Sequence, residues 1–319
     1  MNLDKGSSKK AIIRFKHYHN QPADSVLHRS LQQLWTTVAT ETQGRFEIEL
    51  FPENSKIVGG DTEVIRQLLD GRIEFYAQMG GLFSSIVPVA DAQGIPFAFQ
   101  NRTQVFSALD GDLGDFIRTE MRAKGLHALP KACFENGFHH ITLANRRVRS
   151  RGDMDGLTIR TPNSRIFIDF FETLGALPRS INVDQMYESL RTKAVEAQQN
   201  PLAVIELFKL YEIQSRVALT GHIWSGFNLV ANLEAWNSIP SDIQNIIERN
   251  AAKFALRQRA EQEALNEKLR QTLGDRGMTF DQVDIAGFKG VLGPFYARWK
   301  ANIGGRAWSL LENHVGRIA

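Results

Sequence analysis

Hydrophobic and polar positions alternate along the first 80 residues in a way that predicts strand, helix, strand, helix, strand. Residues 11–19 (AIIRFKHYH) read as a strand, and 24–41 follow as a helix with Val26, Leu27, Leu31, Leu34, Trp35 and Val38 on one side. A strand with period-two alternation (45–52, RFEIELFP), a helix at 61–69 and a third strand at 73–78 (IEFYAQ) complete a βαβαβ series. Such a series predicts a parallel sheet covered by helices, with ligands gathering at the carboxyl ends of the strands. Here those ends fall at His17-Tyr18-His19, at Pro52 and at Gln78-Met79-Gly80. A second strand-helix series starts near residue 139 and runs to RVALTG at 216–221, predicting a second α/β domain. The two series show no sequence repeat.

The stretch 241–273 is a long helical run opened by the cap signal IPSD. Its first half carries the apolar stripe Ile243, Ile246, Ile247 and Phe254, while 257–263 (RQRAEQE) is polar on every side. A helix wet all round usually bridges two bodies. The expected fold is therefore α/β and two-lobed, each lobe a mainly parallel sheet flanked by helices. The lobes are drawn as 1–137 plus 226–265 and 138–225 plus 266–319, with helix 241–273 spanning both.

Composition narrows the classes. A chain of 319 residues exceeds what one core usually supports, and 43% hydrophobic with 23% charged residues is ordinary for a compact soluble protein. The 38 basic and 35 acidic residues leave a formal charge of +3, scattered rather than striped, so nucleic acid is not an expected partner. The single cysteine, Cys133, excludes an internal disulfide and sits in an apolar run as a buried, inert thiol. No apolar run approaches the ~18 residues of a membrane span. The start, MNLDKGSSKK, has no signal-type hydrophobic region and reads as an unstructured lead-in; for an exported protein, a start Met would stand in place of a removed leader.

Several chemistries are missing. Neither GxGxxG nor a Walker lysine pattern accompanies the Gly-Gly pairs at 59–60 and 80–81, and there is no G-x-S-x-G or H-E-x-x-H. His17 and His19 share a strand face and His139-His140 are adjacent, but no carboxylate stands at a fixed spacing from them, so hydrogen-bonding histidines are expected rather than metal ligands. No cofactor and no catalytic residue is predicted.

One stretch asks for a partner. LTIRTPN (157–163) is a short strand that places Arg160 at its carboxyl end and stops at Pro162. A helix capped by Asn163 or Ser164 follows and ends at Gly175, so the guanidinium stands beside a helix N-terminus that also favours anions. Arginine cannot shed its proton to escape burial. Either it pairs internally, with Asp155 or Asp169 as the available acids, or it receives a visiting carboxylate through a bidentate pair.

GLTIRTPNSRIFIDFFETLGALP, followed by VDQMYESLRTKAVEAQQNPLAVIELFKLYEIQ, resembles the solute receptors of the tripartite ATP-independent periplasmic (TRAP) transporters, of the dicarboxylate-receptor type. TQGRFEIELFP, VIRQLLDGRIEF, IPFAF, ENGFHH and WNSIPSDIQNII fall in the order that the resemblance requires, over nearly the whole chain. The resemblance implies a periplasmic receptor that holds an organic acid between two lobes and passes it to sodium-driven membrane subunits. It implies that Arg160 takes the carboxylate and that Asn200, of the NP motif, hydrogen-bonds the same group. Gly137-Phe138-His139-His140 replaces a pattern (GFRQ) in which many members carry a second arginine, and Gln199 stands where a Glu is common. Together with Tyr18, Phe138 and Trp224, these departures favour a monocarboxylate with a flat or hydroxylated body, such as an aromatic or sugar acid. Met79 and Val183 complete the expected ligand-binding set, and a monomer is expected. Two other readings stand beside this one: a cofactor-free isomerase or lyase with His139 or His140 as base, and a receptor that reports to a membrane sensor.

Overall fold

A computed structural model describes residues 12–318. The expected lead-in and Ala11, the start of the expected first strand, lie outside the described residues. In chain order the strands are β1 (Ile13–His19), β2 (Phe46–Phe51), β3 (Phe75–Met79), β4 (Leu126–Phe138), β5 (His140–Leu143), β6 (Thr158–Thr161), β7 (Leu177–Ser180), β8 (Ala197–Asn200), β9 (Arg216–Ala218), β10 (Trp224–Asn232) and β11 (Thr279–Asp281). The helices are α1 (Val26–Glu41), α2 (Gly60–Leu69), α3 (Arg102–Leu109), α4 (Asp112–Arg122), α5 (Arg165–Thr173), α6 (Met186–Arg191), α7 (Leu202–Leu207), α8 (Leu233–Ser238), α9 (Ser241–Asp275), α10 (Ile285–Lys289), α11 (Gly293–Ile303) and α12 (Gly305–Val315).

Among the described residues the strands form two sheets, ordered β2-β1-β3-β10-β4 and β11-β9-β5-β8-β6-β7. In the first, β1 pairs parallel with β2 and β3, as the alternation predicts. β10 then enters antiparallel between β3 and β4, which the alternation does not predict. Its sequence, WSGFNLVAN, is buried at nearly every position because it is an inner strand covered on both faces, so no period-two signal remains. Register shifts between Ser225 and Gly226 and between Asn228 and Val230 blur the pattern further. In the second sheet β6 pairs parallel with β7 and β8, and β5 runs antiparallel to β8 and β9.

Two of the three passages of the chain between the sheets have little slack. His139 alone separates β4 from β5, and residues 219–223 join β9 to β10. The two crossings are tied together where His139 N–H donates to the Ile223 carbonyl at 2.8 Å. Helix α9 lies along β4 and α1 and reaches α7 on the second sheet.

The expectation that 257–263 would be wet all round is corrected: Gln258, Arg259 and Gln262 are only 1%, 5% and 5% exposed. They are buried because each finds polar partners. The Gln258 amide pairs with the Glu135 backbone, accepting from its N–H at 2.7 Å and donating to its carbonyl at 2.9 Å. Arg259 grips Asp110 at 2.5 and 2.9 Å, donates to the Cys133 carbonyl at 2.9 Å and lies 3.8 Å over the Phe106 ring. Arg102 adds a 2.8 Å pair with Glu135. Cys133 is a buried free thiol, and burial pushes it up to about 12.

Helices α11 and α12 pack on α3, α4 and the 3-10 turn Pro88–Gly94, with α11 also touching α5. Much of the segment 266–319, drawn above with the second lobe, therefore lies against helices of the first sheet. One apolar cluster runs through this region from Val64 and Leu113 to Phe170, Phe295 and Trp308, while a second fills the space between the first sheet, α1 and α9.

Two expectations follow. Arg259→Leu should cost about 3 kcal/mol of unfolding free energy, because Asp110 and two main-chain carbonyls lose a buried donor; an unchanged denaturation midpoint would refute this. The second concerns acid. Burial, with His28 as a lesser cause, holds His19 down from 6.5 to about 3, and burial also lowers His17 and His222. The unfolded chain then binds protons that the folded chain refuses, so stability is complete above about pH 6.5 and drains away as the pH falls toward 3. His19→Asn should flatten the fall in melting temperature between pH 7 and 5, and thermal melts across that range would show it.

Candidate functional site

Arg160 is the third residue of β6, and its side chain is 3% exposed. Its Nε donates to the Ile181 carbonyl at 2.8 Å, and no described carboxylate lies within the 4.0 Å of an ion pair. The two acids available within its own segment are engaged elsewhere: Asp155 meets Arg151 at 3.3 Å and Asp169 meets Arg298 at 2.7 Å. Burial lowers the guanidinium to about 10, while Asp61 and Asp184 act at longer range to hold it up.

Asp61 stands on the opposite lobe, in the first turn of α2. Its carboxylate is buried and accepts from four neutral side chains: Asn54 at 2.8 Å, Tyr76 at 2.8 Å, Gln78 at 2.9 Å and Asn20 at 3.2 Å. Burial raises its pKa, and these bonds, with Arg160, pull it back. A narrow slot of about 30 Å³ between the lobes is walled by Asn20, Asn54 and Asp61 on one side and by Asn182, Val183 and Asp184 on the other. The lobes touch beside it. Asn163 Nδ2 donates to Thr62 Oγ1 at 3.2 Å, and a Cβ on Gly60 would stand 2.4 Å from the Asn182 amide, so the bare backbone at Gly60 permits this approach.

Of the other residues singled out in the sequence, His139 and Asn200 border Arg160. His139 is buried, with Nδ1 against Gln199 Oε1 and Nε2 2.7 Å from Ser225 Oγ; burial is the main reason it is held down to about 3, with Arg160 contributing. It is therefore a neutral imidazole. Asn200 ends β8, two residues after Gln198, the register partner of Arg160, and donates to Gln198 Oε1 at 2.6 Å. Met79 ends β3 next to Gln78, whose Oε1 accepts from the Met79 N–H at 2.8 Å.

The aromatic residues are less closely gathered. Trp224 is 2% exposed, with its indole N–H committed to Glu135 at 2.7 Å and its ring edge-on to Phe106, so it serves the internal network around α9. Tyr18 stacks on Phe51 at 4.5 Å near Glu49 and Glu74. Phe138 is half-buried and in register with Trp224. Among the described residues no group of three or more His, Cys, Asp or Glu is arranged to hold a metal ion. Asp61 and Asn20 carry no functional signal in the sequence, while Gln78 stands out there only as part of the strand end Gln78-Met79-Gly80.

Residues 17–302 match the family model DctP, "Bacterial extracellular solute-binding protein, family 7". Among curated relatives, the sialic acid-binding periplasmic protein SiaP of Vibrio cholerae is 27% identical over 308 residues, 95% of this chain and 94% of that one. The 2,3-diketo-L-gulonate-binding periplasmic protein YiaO of Escherichia coli is 28% identical over 242 residues, 76% of this chain and 72% of its own. A Sinorhizobium fredii protein, y4mM, is 31% identical over 218 residues, which span 68% of this chain but only 39% of that longer one. A crystal structure of a TRAP periplasmic solute binding protein from Polaromonas, bound to D-erythronate, superposes with a TM-score of 0.89 at 26% identity, covering 96% of this chain and 99% of that one. One from Sulfitobacter with bound β-D-galacturonate also gives 0.89, at 18% identity over 95% of this chain and all of that one, a likeness of fold. The chain thus belongs to family 7 of the bacterial extracellular solute-binding proteins, the DctP family of TRAP solute receptors.

Proposed function

We propose that this receptor binds a hydroxylated monocarboxylic acid between its lobes, with the ligand carboxylate forked onto Arg160. The observation that carries this reading is a guanidinium 3% exposed with no described carboxylate within 4.0 Å. An unpaired buried cation is costly, and the cost is retained most readily where an anion arrives to remove it. Asn200, beside Arg160 at the strand ends, would donate to the same carboxylate by turning its Nδ2 from Gln198 Oε1 and Met186 Sδ, and Val183, on the slot wall, and Met79, at the end of β3, would shape the volume around it.

Charge selects the ligand class. Arg160 is a fixed positive charge, whereas His139, in the position of a common second arginine, is neutral. Asp61 and Asp184 both act on Arg160. A second carboxylate on the ligand would therefore meet negative neighbours, while hydroxyls would meet the amides of Asn20, Asn54, Gln78 and Asn182. Two related proteins, one bound to D-erythronate and one binding 2,3-diketo-L-gulonate, take acids of this hydroxylated kind.

Both ring nitrogens of His139 are engaged, and His140 Nδ1 accepts from the Gly221 N–H at 3.1 Å, which leaves neither well placed as a base and speaks against the isomerase or lyase reading. In the proposed role the chain works in the periplasm and delivers its acid to the membrane subunits of a TRAP system that draws on a sodium gradient. Among the described residues no helix is long and apolar enough to cross a membrane.

Calorimetric titration with D-erythronate, L-gulonate and D-glucuronate tests the clamp. Arg160→Ala should lose about 100-fold or more in affinity, on the order of 3 kcal/mol, and Arg160→Lys should recover only part of it because the fork is gone. An alanine variant that binds as tightly as wild type would refute the clamp, and a chemically altered acid recovered after long incubation would revive the enzyme reading.

A further inference from the structure

The turn Pro88–Gly94 is mostly apolar, yet it turns two polar side chains inward. Asp91 is 1% exposed and Gln93 4%, and Ser164, at the head of α5 on the other lobe, is 2%. Asp91 Oδ1, Gln93 Nε2 and Ser164 Oγ are all buried without a hydrogen-bond partner among the described residues. They converge on Gly80 and Gly81. A Cβ on Gly81 would stand 3.1 Å from Ser164 Oγ and 3.4 Å from Asp91 Oδ1, and one on Gly80 would stand 2.6 Å from Gln93 Nε2. The Gln93 amide oxygen is already used, accepting from Asn228 at 3.0 Å.

Unpaired polar groups this deep in a protein are rare, and three from two lobes around one bare stretch of backbone call for a common partner. Burial pushes the Asp91 carboxyl up to about 7, with Ser84 and Arg165 drawing it back. Gly81 and Ser84 also wall a cavity of about 340 Å³, together with Asp61, Asn163 and Arg165. Asp61, the residue that acts on Arg160 across the cleft, is one wall of this cavity.

Resting on the reading of Arg160 given above, we infer that Asp91, Ser164 and Gln93 form a second recognition subsite, which takes a hydroxyl at the far end of the bound acid and disfavours a second carboxylate there. A hydroxyl matches the set atom for atom. It donates its hydrogen to Asp91 Oδ1, and its oxygen accepts from Ser164 Oγ or Gln93 Nε2. Where Asp91 is ionised, a carboxylate offers it no hydrogen and brings a like charge beside it. The subsite also draws on both lobes, so filling it adds contacts that an open form lacks.

The test compares D-glucuronate with succinate, titrated calorimetrically into the full chain and its variants, alongside melts without ligand. Asp91→Ala and Ser164→Ala should each weaken D-glucuronate by about 10-fold or more. Succinate should bind Asp91→Ala at least as well as wild type. The melting temperature of ligand-free Asp91→Ala should hold or rise, because an unpaired buried carboxyl has been removed, and Asp91→Asn, which keeps an acceptor, should recover part of the D-glucuronate affinity. Unchanged D-glucuronate affinity in both alanine variants would overturn the subsite alone and leave the Arg160 clamp intact. Equal losses for both acids would mark Asp91 as a scaffold residue and also overturn it. D-glucuronate affinity left unchanged by Arg160→Ala would refute the clamp reading and the subsite with it.

Discussion

A guanidinium held out of water with no carboxylate partner among the described residues is the constraint around which the cleft is arranged. Arg160 is fixed at one point, by Nε to the Ile181 carbonyl, and that bond leaves the two terminal nitrogens of the fork for other partners. The fold has acids to spare and does not use them here: Asp155 and Asp169 pair with Arg151 and Arg298 instead. Asp61, the leading opposite charge felt by Arg160, is surrounded by neutral donors on the other lobe. The two charges face each other from separate bodies and stop short of an ion pair, which would satisfy Arg160 at the cost of its availability.

Such an arrangement needs a rigid frame, and the frame is assembled at the other end of the crossings. Glu135 on β4 receives Arg102 and the Trp224 indole, its backbone receives the Gln258 amide, and the adjoining Arg259 locks α9 to Asp110. Here the buried charges are paired and satisfied, so they stiffen the molecule. Near Arg160 the polar groups are largely amides and neutral imidazole, which orient without compensating its charge. The same residue types thus serve opposite ends according to whether their partners lie on one body or two.

That distinction also marks what could be read in the sequence. Strands β1 to β3 and helices α1 and α2 follow from local periodicity, and Arg160 is legible because a charged residue ends a strand that Pro162 stops. Strand β10 is not legible, since an inner strand buried on both faces has no alternation to display. The polar run 257–263 misleads for a related reason: Gln258 and Arg259 are buried by partners more than a hundred residues away in sequence. Trp224 looks like cleft surface until Glu135, on a strand with no periodic signal, supplies its partner. Asp61, Asp91 and Ser164 are ordinary polar residues in sequence and become notable only through burial and through which of their atoms lack partners.

On the proposed reading, the same electrostatics explain how ligand binding can favour the closed lobes. A ligand shifts a conformational equilibrium only through contacts that differ between the two forms. Arg160 by itself would meet a carboxylate in either form and so would supply affinity without closure. The contacts that require both lobes are different ones: Asn163 with Thr62, Asn182 against Gly60, and the approach of the Asp61 cluster to Arg160. Closing them over an unliganded guanidinium buries a charge without its counter-ion, whereas closing them over a bound carboxylate buries a neutral pair. Desolvation of one arginine then opposes closure when the cleft is unfilled and ceases to oppose it once the acid is seated, and the difference between those two costs is the coupling free energy between binding and closure.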